Sequence, residues 1–66
     1  MTFQRLRAEM KENKINQKCL AEKLGISEKT MCEKMKGNWE FHRDEMIIIC
    51  KVFNKSMDYL FGEEAI

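Results

Sequence analysis

Apolar residues recur every three or four positions along most of this chain, and that spacing is typical of amphipathic helices. Five stretches of the 66-residue sequence show the pattern, at about 3–13, 17–24, 27–36, 44–53 and 57–61. The residues between these stretches are mostly polar or glycine. We therefore expect an all-α fold built from five short helices.

Short polar side chains stand where these helices should begin. Their oxygen atoms can accept hydrogen bonds from the unpaired N–H groups of a first helical turn. The predicted N-caps are Thr2, Asn16, Ser27, Asp44 and Ser56. Glycines follow three of the stretches, where a left-handed backbone can end a helix. These stop signals are Gly25, Gly37 and Gly62.

The stretch 16–37 predicts two short helices joined by a tight turn. Ala21 offers a small side chain where the two helices would cross, and Ile26 would fill the corner between them. The order of polar, small, turn and apolar residues resembles the DNA-binding helix-turn-helix of Cro/cI-type, XRE-like repressors. The matching residues are Gln17, Leu20, Ala21, Leu24, Gly25, Ile26, Ser27, Thr30, Met31 and Gly37.

This resemblance implies a lambda-repressor-like DNA-binding domain that spans residues 1–66 as a single unit. It also implies that the helix at 27–36 is the recognition helix, with its N-terminal half in the major groove of duplex DNA. The protein would then act as a small, phage-type transcriptional regulator, and we expect a repressor.

The outward-facing residues of that helix are the predicted base contacts, because its two methionines form the inner face. They are Ser27, Glu28, Lys29, Cys32 and Glu33. Lys29 could donate to guanine O6 or N7. Glu28 and Glu33 could each accept from cytosine N4, or could bind a neighbouring side chain instead. Cys32 could touch a thymine methyl group or fill space beside the motif.

Residues at the edges of the motif are the predicted phosphate contacts. They are Gln17, Lys18, Thr30, Lys36, Asn38 and Arg43. In the family that the motif resembles, a glutamine at the position of Gln17 binds phosphate at the start of its helix. Each of these six residues, Gln17 included, could instead be a solvated or packing side chain. Trp39, in the loop that follows, either covers the end of the core or lies beside the DNA backbone.

The predicted fourth helix has more apolar residues than one core stripe needs. Its stripe at positions i, i+3, i+4 and i+7 consists of Met46, Ile49, Cys50 and Phe53. Ile48 and Val52 lie one turn apart on another face, which either the fifth helix or a second subunit must cover. We expect a homodimer, with predicted contacts at Ile48, Val52, Tyr59 and Phe61.

The net charge of +1 is small for a nucleic-acid-binding protein, but the charges are unevenly distributed. Residues 1–43 hold ten Lys or Arg against six Asp or Glu, whereas residues 44–66 hold two against five. This polarity would turn the basic part, which contains the motif, toward DNA.

Few residues suggest chemistry beyond binding. Cys19, Cys32 and Cys50 are too widely spaced for a paired metal site, and His42 is the only histidine. We expect no metal, no cofactor, no small-molecule ligand and no enzymatic activity. Because no apolar run approaches the roughly 18 residues that cross a membrane, we expect a cytoplasmic protein without membrane contact.

A protein-interaction module of the same fold, such as an antitoxin-like partner, is the alternative function. The small net charge and the two glutamates of the predicted recognition helix favour it, whereas Gln17 and the basic edge residues favour duplex DNA. Salt dependence would separate the two, because DNA binding weakens steeply as salt rises. An enzyme is a third alternative, for which the sequence offers no phosphate-binding loop or catalytic cluster.

Overall fold

The computed structural model describes residues 3–62, and within that range the chain forms five helices and no strand. The helices are α1 Gln4–Glu12, α2 Gln17–Leu24, α3 Glu28–Met35, α4 Arg43–Phe53 and α5 Met57–Phe61. The all-α prediction of five short helices is confirmed.

Three of the predicted N-caps are confirmed by hydrogen bonds in the first turn of their helices. Asn16 Oδ1 accepts from the backbone N–H of Cys19 at 2.7 Å, which starts α2. Ser27 starts α3 and Ser56 starts α5, and each hydroxyl oxygen accepts from an N–H three residues later at 3.1 Å. Because this contact needs only neighbouring residues, the sequence alone could predict it.

The other two helices begin differently from the prediction. Phe3 is the N-cap of α1, with a left-handed backbone (φ 50°, ψ 52°) and no capping hydrogen bond from its side chain, while Thr2 lies outside the described residues. The prediction of Asp44 as the cap of α4 is wrong, because His42 holds that position. Glu45 explains the earlier start, since its Oε1 accepts from the His42 backbone N–H at 2.8 Å.

One hydrophobic core lies among all five helices. Each helix contributes at least one side chain that is fully buried. The largest of these are Leu6, Leu20, Met31, Met35, Ile49 and Leu60. Since a domain this small buries a limited core, the position of each helix depends on these few contacts.

Three phenylalanines close one side of the core. The ring centroids of Phe3 and Phe41 lie 5.3 Å apart, and those of Phe41 and Phe61 lie 5.7 Å apart. Phe61, one of the predicted dimer contacts, is only 6% exposed. It therefore belongs to the core of its own chain, and its burial needs no second subunit.

The second apolar face of α4 is partly covered within the chain. Val52 is half-buried and packs against the core, and Ile47 is also half-buried. Ile48 remains 36% exposed. Val52 is therefore covered by residues of its own chain, whereas Ile48 remains at the surface.

Candidate nucleic-acid interface

A tight corner fixes α2 against α3. Gly25 ends α2 with a left-handed backbone (φ 73°), which glycine adopts without the steric cost of a Cβ. The N–H of Ile26 donates to the carbonyl of Ala21 at 3.1 Å, so the chain turns within three residues. Ala21 is 2% exposed, as its predicted place between the helices requires. The corner holds α3 in one orientation relative to α2.

The inner face of α3 carries its two methionines, both fully buried. This confirms which face of the predicted recognition helix points outward. Of the predicted base contacts, Ser27, Glu28 and Lys29 are exposed, whereas Cys32 and Glu33 are half-buried. The most accessible part of α3 is therefore its N-terminal turn, the part expected to enter a major groove.

The hydroxyl of Ser27 already makes two contacts within the chain. It accepts from the N–H of Thr30 and donates to the Thr30 hydroxyl at 2.9 Å. A contact between Ser27 and a base would have to compete with these two hydrogen bonds. Glu28 and Lys29 differ, because neither forms an ion pair within residues 3–62, and both side chains are available to a ligand.

Glu33 has local partners on both oxygens. Asn38 Nδ2 donates to its Oε1 at 2.9 Å, and Lys36 Nζ lies 3.7 Å from its Oε2. Of the two roles that the sequence allowed for Glu33, these contacts favour the local one. Glu33 thereby links α3 to two residues that were predicted to bind phosphate.

The predicted phosphate contacts lie at the ends of three helices. Gln17 and Lys18 begin α2, with Gln17 half-buried and Lys18 exposed. Arg43 is exposed at the first position of α4. Lys36 and Asn38 are exposed in the α3–α4 loop, residues 36–42, and Thr30 is half-buried in α3.

A buried lysine lies at the C-terminal end of α3, and the sequence reasoning missed it. Lys34 is 5% exposed, and its ammonium lies 3.0 Å from Glu45 Oε1 of α4. The same ammonium donates to the carbonyl of Glu40 in the α3–α4 loop at 2.9 Å. It also lies 5.9 Å from the ring centroid of Phe41.

Two features of the sequence point to a structural role for Lys34 and Glu45. Lys34 lies about 60° from the buried Met31 on a helical wheel, so it borders the inner face of α3. Glu45 occupies the third position of a helix, where a glutamate can accept from the N-cap. Neither feature shows that the two side chains meet, because that depends on the path of the α3–α4 loop.

Hydrogen bonds keep Glu45 ionised. Burial alone would raise the pKa of its carboxyl group, but donation by the His42 N–H and by Lys34, with the Lys34 charge, outweighs burial. The pKa of Glu45 therefore lies below its ordinary value of 4.5. Lys34 and Glu45 form a charged, hydrogen-bonded pair at neutral pH.

A second long-range contact reaches the same end of α3. Arg7 Nη2, in α1, donates to the carbonyl of Met35 at 3.0 Å. A cation near the C-terminus of a helix also interacts favourably with the helix dipole. The C-terminal end of α3 is thus held by charged groups from α1 and from α4.

The other predicted dimer contacts differ in exposure. Ile48 is 36% and Tyr59 40% exposed, whereas Val52 is half-buried. Tyr59 is already in contact with α1, because its ring centroid lies 5.2 Å from the Arg5 guanidinium carbon. Ile48 is the most accessible apolar residue of α4.

The described residues show no sign of a metal site or a membrane span. The three cysteines are free thiols there, and no group of three or more His, Cys, Asp or Glu side chains in residues 3–62 could hold a metal ion. Every helix in that range is too short or too polar to span a lipid bilayer.

Comparison with known proteins identifies one family. The model of the Cro/C1-type HTH DNA-binding domain matches residues 5–62, which is most of the chain and includes the whole α2–α3 motif. Comparisons with curated proteins and with solved structures gave no significant match.

Proposed function

We propose that the chain, which belongs to the family of Cro/C1-type helix-turn-helix DNA-binding domains, binds specific duplex DNA sequences as a small homodimeric repressor. The family supports DNA binding and a role in transcription regulation. The observation that carries the finer proposal is the exposed N-terminal turn of α3. There Glu28 and Lys29 have no ion-pair partner within residues 3–62, on a helix whose inner face is fully buried.

Lys29 is the principal base contact in this proposal. Its ammonium is exposed and could donate to guanine O6 or N7, while Glu28 could accept from cytosine N4. Cys32 is half-buried on the same helix, and both of its predicted roles, contact with a thymine methyl group and filling space beside the motif, stay open. Ser27 and Glu33 have local partners and contribute less to reading the sequence.

The phosphate contacts come from the ends of the helices around α3. Gln17 and Lys18 at the start of α2 and Arg43 at the start of α4 would bind the DNA backbone, together with Lys36 and Asn38 of the α3–α4 loop. Thr30 shares a hydrogen bond with Ser27 and is the weakest of these candidates. Such contacts set the register of the domain on the duplex but carry no sequence information.

A dimer would allow two small domains to read two half-sites about one DNA turn apart. Ile48 is the best candidate for its contact, with Tyr59 and the half-buried Val52 at the margin. Sedimentation tests this part alone: Ile48→Glu should shift a dimeric protein toward monomer, whereas Lys51→Glu, on an exposed position of the same helix, should not. A monomeric wild-type protein on DNA would contradict the dimer.

Selection of binding sites from a random duplex pool tests the function directly. We expect an enriched, two-fold symmetric site, because a symmetric dimer reads related half-sites. Lys29→Ala should relax the preference at one base position in each half-site, and the matched variant Lys51→Ala should leave the profile unchanged. Gln17→Ala should weaken all sites about equally. No enrichment by a folded wild-type protein would contradict sequence-specific binding.

Protein interaction is the second candidate function, and exposed apolar side chains favour it. Trp39 is 50% and Met57 37% exposed, and both line an open groove of about 470 Å³. A protein-binding module would retain its affinity for its partner as salt rises, whereas duplex binding should fall steeply. Salt-insensitive or undetectable duplex binding would therefore favour this second function.

A further inference from the structure

We propose that the buried pair Lys34–Glu45 positions the α3–α4 loop for contact with the DNA backbone, so that these two residues control affinity without touching DNA. This inference rests on the proposed function. It concerns two buried residues, near the C-terminal end of α3 and at the start of α4, that are not themselves candidate DNA contacts.

The ammonium group of Lys34 connects three parts of the chain. Lys34 belongs to α3. Its ammonium donates to the Glu40 carbonyl of the loop and forms an ion pair with Glu45 of α4. Glu45 in turn accepts from the His42 N–H at the far end of the loop. The middle and the end of the α3–α4 loop are therefore fixed through a single buried ion pair.

Candidate phosphate contacts lie in this loop and directly after it. Lys36 and Asn38 lie within it, and Arg43 follows it directly as the first residue of α4. All three side chains are exposed, and those of Lys36 and Asn38 are also in contact with Glu33 of α3. The backbone N–H groups of Lys36 and Asn38 donate to carbonyls of α3 at 3.0 and 3.1 Å. The segment that depends on Lys34 and Glu45 therefore runs from Glu40 to the start of α4, where Arg43 lies.

Uncharged side chains could replace both members of the pair with little loss of stability, but they could not hold the α3–α4 loop in the same position. Removing one member leaves the other charge buried without its partner, which is strongly destabilising. Removing both charges avoids that cost, and a glutamine at position 45 can still accept from the His42 N–H. A methionine at position 34 has no donor for the Glu40 carbonyl, so the hold on the middle of the loop is lost.

The double variant Lys34→Met/Glu45→Gln therefore separates a positioning role from a purely structural one. It leaves the net charge of the protein unchanged, because one cation and one anion are removed together. Any change in the salt dependence of DNA binding must then come from altered contacts and not from altered overall charge. Lys51→Met, which removes an exposed lysine of α4 outside this network, is the matched control for loss of a cation.

The experiment measures duplex binding against salt concentration for the wild type and both variants, at a temperature where all are folded. We expect the double variant to bind on the order of tenfold more weakly to every duplex, because the charge-assisted phosphate contact of Arg43 is weakened. The slope of log affinity against log salt should fall by about one, since each lost cationic contact contributes about 0.9 and Arg43 is the candidate cation next to the loosened segment. The order of preferred sequences should not change. A folded double variant with wild-type affinity and slope would overturn the inference.

Trp39 provides a readout that does not involve DNA. It is the only tryptophan of the chain and lies in the α3–α4 loop, half exposed. Its fluorescence anisotropy should decrease in the double variant and stay unchanged in Lys51→Met. If the wild type fails to bind duplex, the proposed function fails, and unchanged anisotropy would separately overturn the positioning role. If the wild type binds and the double variant binds equally well, only the positioning role fails.

Discussion

The two ends of α3 are held in different ways. At the N-terminal end, Ser27 caps the helix through Thr30, three residues away, and the surrounding side chains are exposed. At the C-terminal end, Arg7 reaches the Met35 carbonyl from α1, and Lys34 forms a buried pair with Glu45 of α4. The end proposed to read DNA is thus supported locally, which leaves its outer surface free, and the other end is anchored by tertiary contacts.

Loss of Lys34 should cause the largest loss of stability among the substitutions considered. Lys34→Ala should lower the free energy of unfolding by about 3 kcal/mol, because Glu45, whose side chain is only 12% exposed, would lose its buried partner. Urea unfolding followed by circular dichroism measures this change. Lys51→Ala removes an exposed lysine and should change stability by less than about 0.5 kcal/mol. Equal effects of the two substitutions would contradict an anchoring role for the pair.

Loss of the local support should have a smaller effect. Ser27→Ala should lower the free energy of unfolding by about 1 kcal/mol, the usual contribution of an N-cap hydroxyl. Ser56→Ala is a matched control, because the Ser56 cap of α5 has the same 3.1 Å hydrogen bond. The two variants should lose similar stability in urea unfolding.

Duplex binding distinguishes these two caps. Only Ser27→Ala should also weaken DNA binding, since only Ser27 orders the turn of α3 that bears Glu28 and Lys29. Titration with a selected duplex measures this difference. Equal affinity of the two variants would contradict a role for the α3 N-terminus in reading DNA.

The same contrast explains which parts of the molecule could be predicted from the sequence. The caps at Asn16 and Ser27 and the turn at Gly25 depend on residues within three or four positions, so local patterns were sufficient for the motif. The fully buried methionines of α3 followed from helical spacing, which correctly separated its inner and outer faces.

Two of the missed features depend on residues that are distant in sequence, and the third, the start of α4, is local. The Lys34–Glu45 pair requires the α3–α4 loop to return α4 to the end of α3, and no local pattern determines that path. Phe61 appeared available for a dimer because its contacts with Phe3 and Phe41 cross most of the chain. The start of α4 was misplaced because a histidine, not a serine or threonine, precedes the glutamate of its capping box.

Acid should weaken the anchored end of α3 and leave the local end unaffected. The folded-state pKa of Glu45 lies below 4.5, so the contribution of its carboxylate is fully present above that pH and is lost as the pH falls through the folded-state pKa. Glu45→Gln has no carboxylate to titrate. The difference in unfolding free energy between the wild type and Glu45→Gln should therefore shrink as the pH falls from 7 to below 4.5.

Ser27→Ala is the control for this effect of acid, which is the smallest of the predicted effects. A serine hydroxyl does not titrate in this range, so the difference between the wild type and Ser27→Ala should stay constant with pH. Urea unfolding of the three proteins at several pH values measures both differences. If the Glu45→Gln difference were equally constant, the charge of Glu45 would contribute nothing to the anchored end, and its bond to the His42 N–H would account for its role alone.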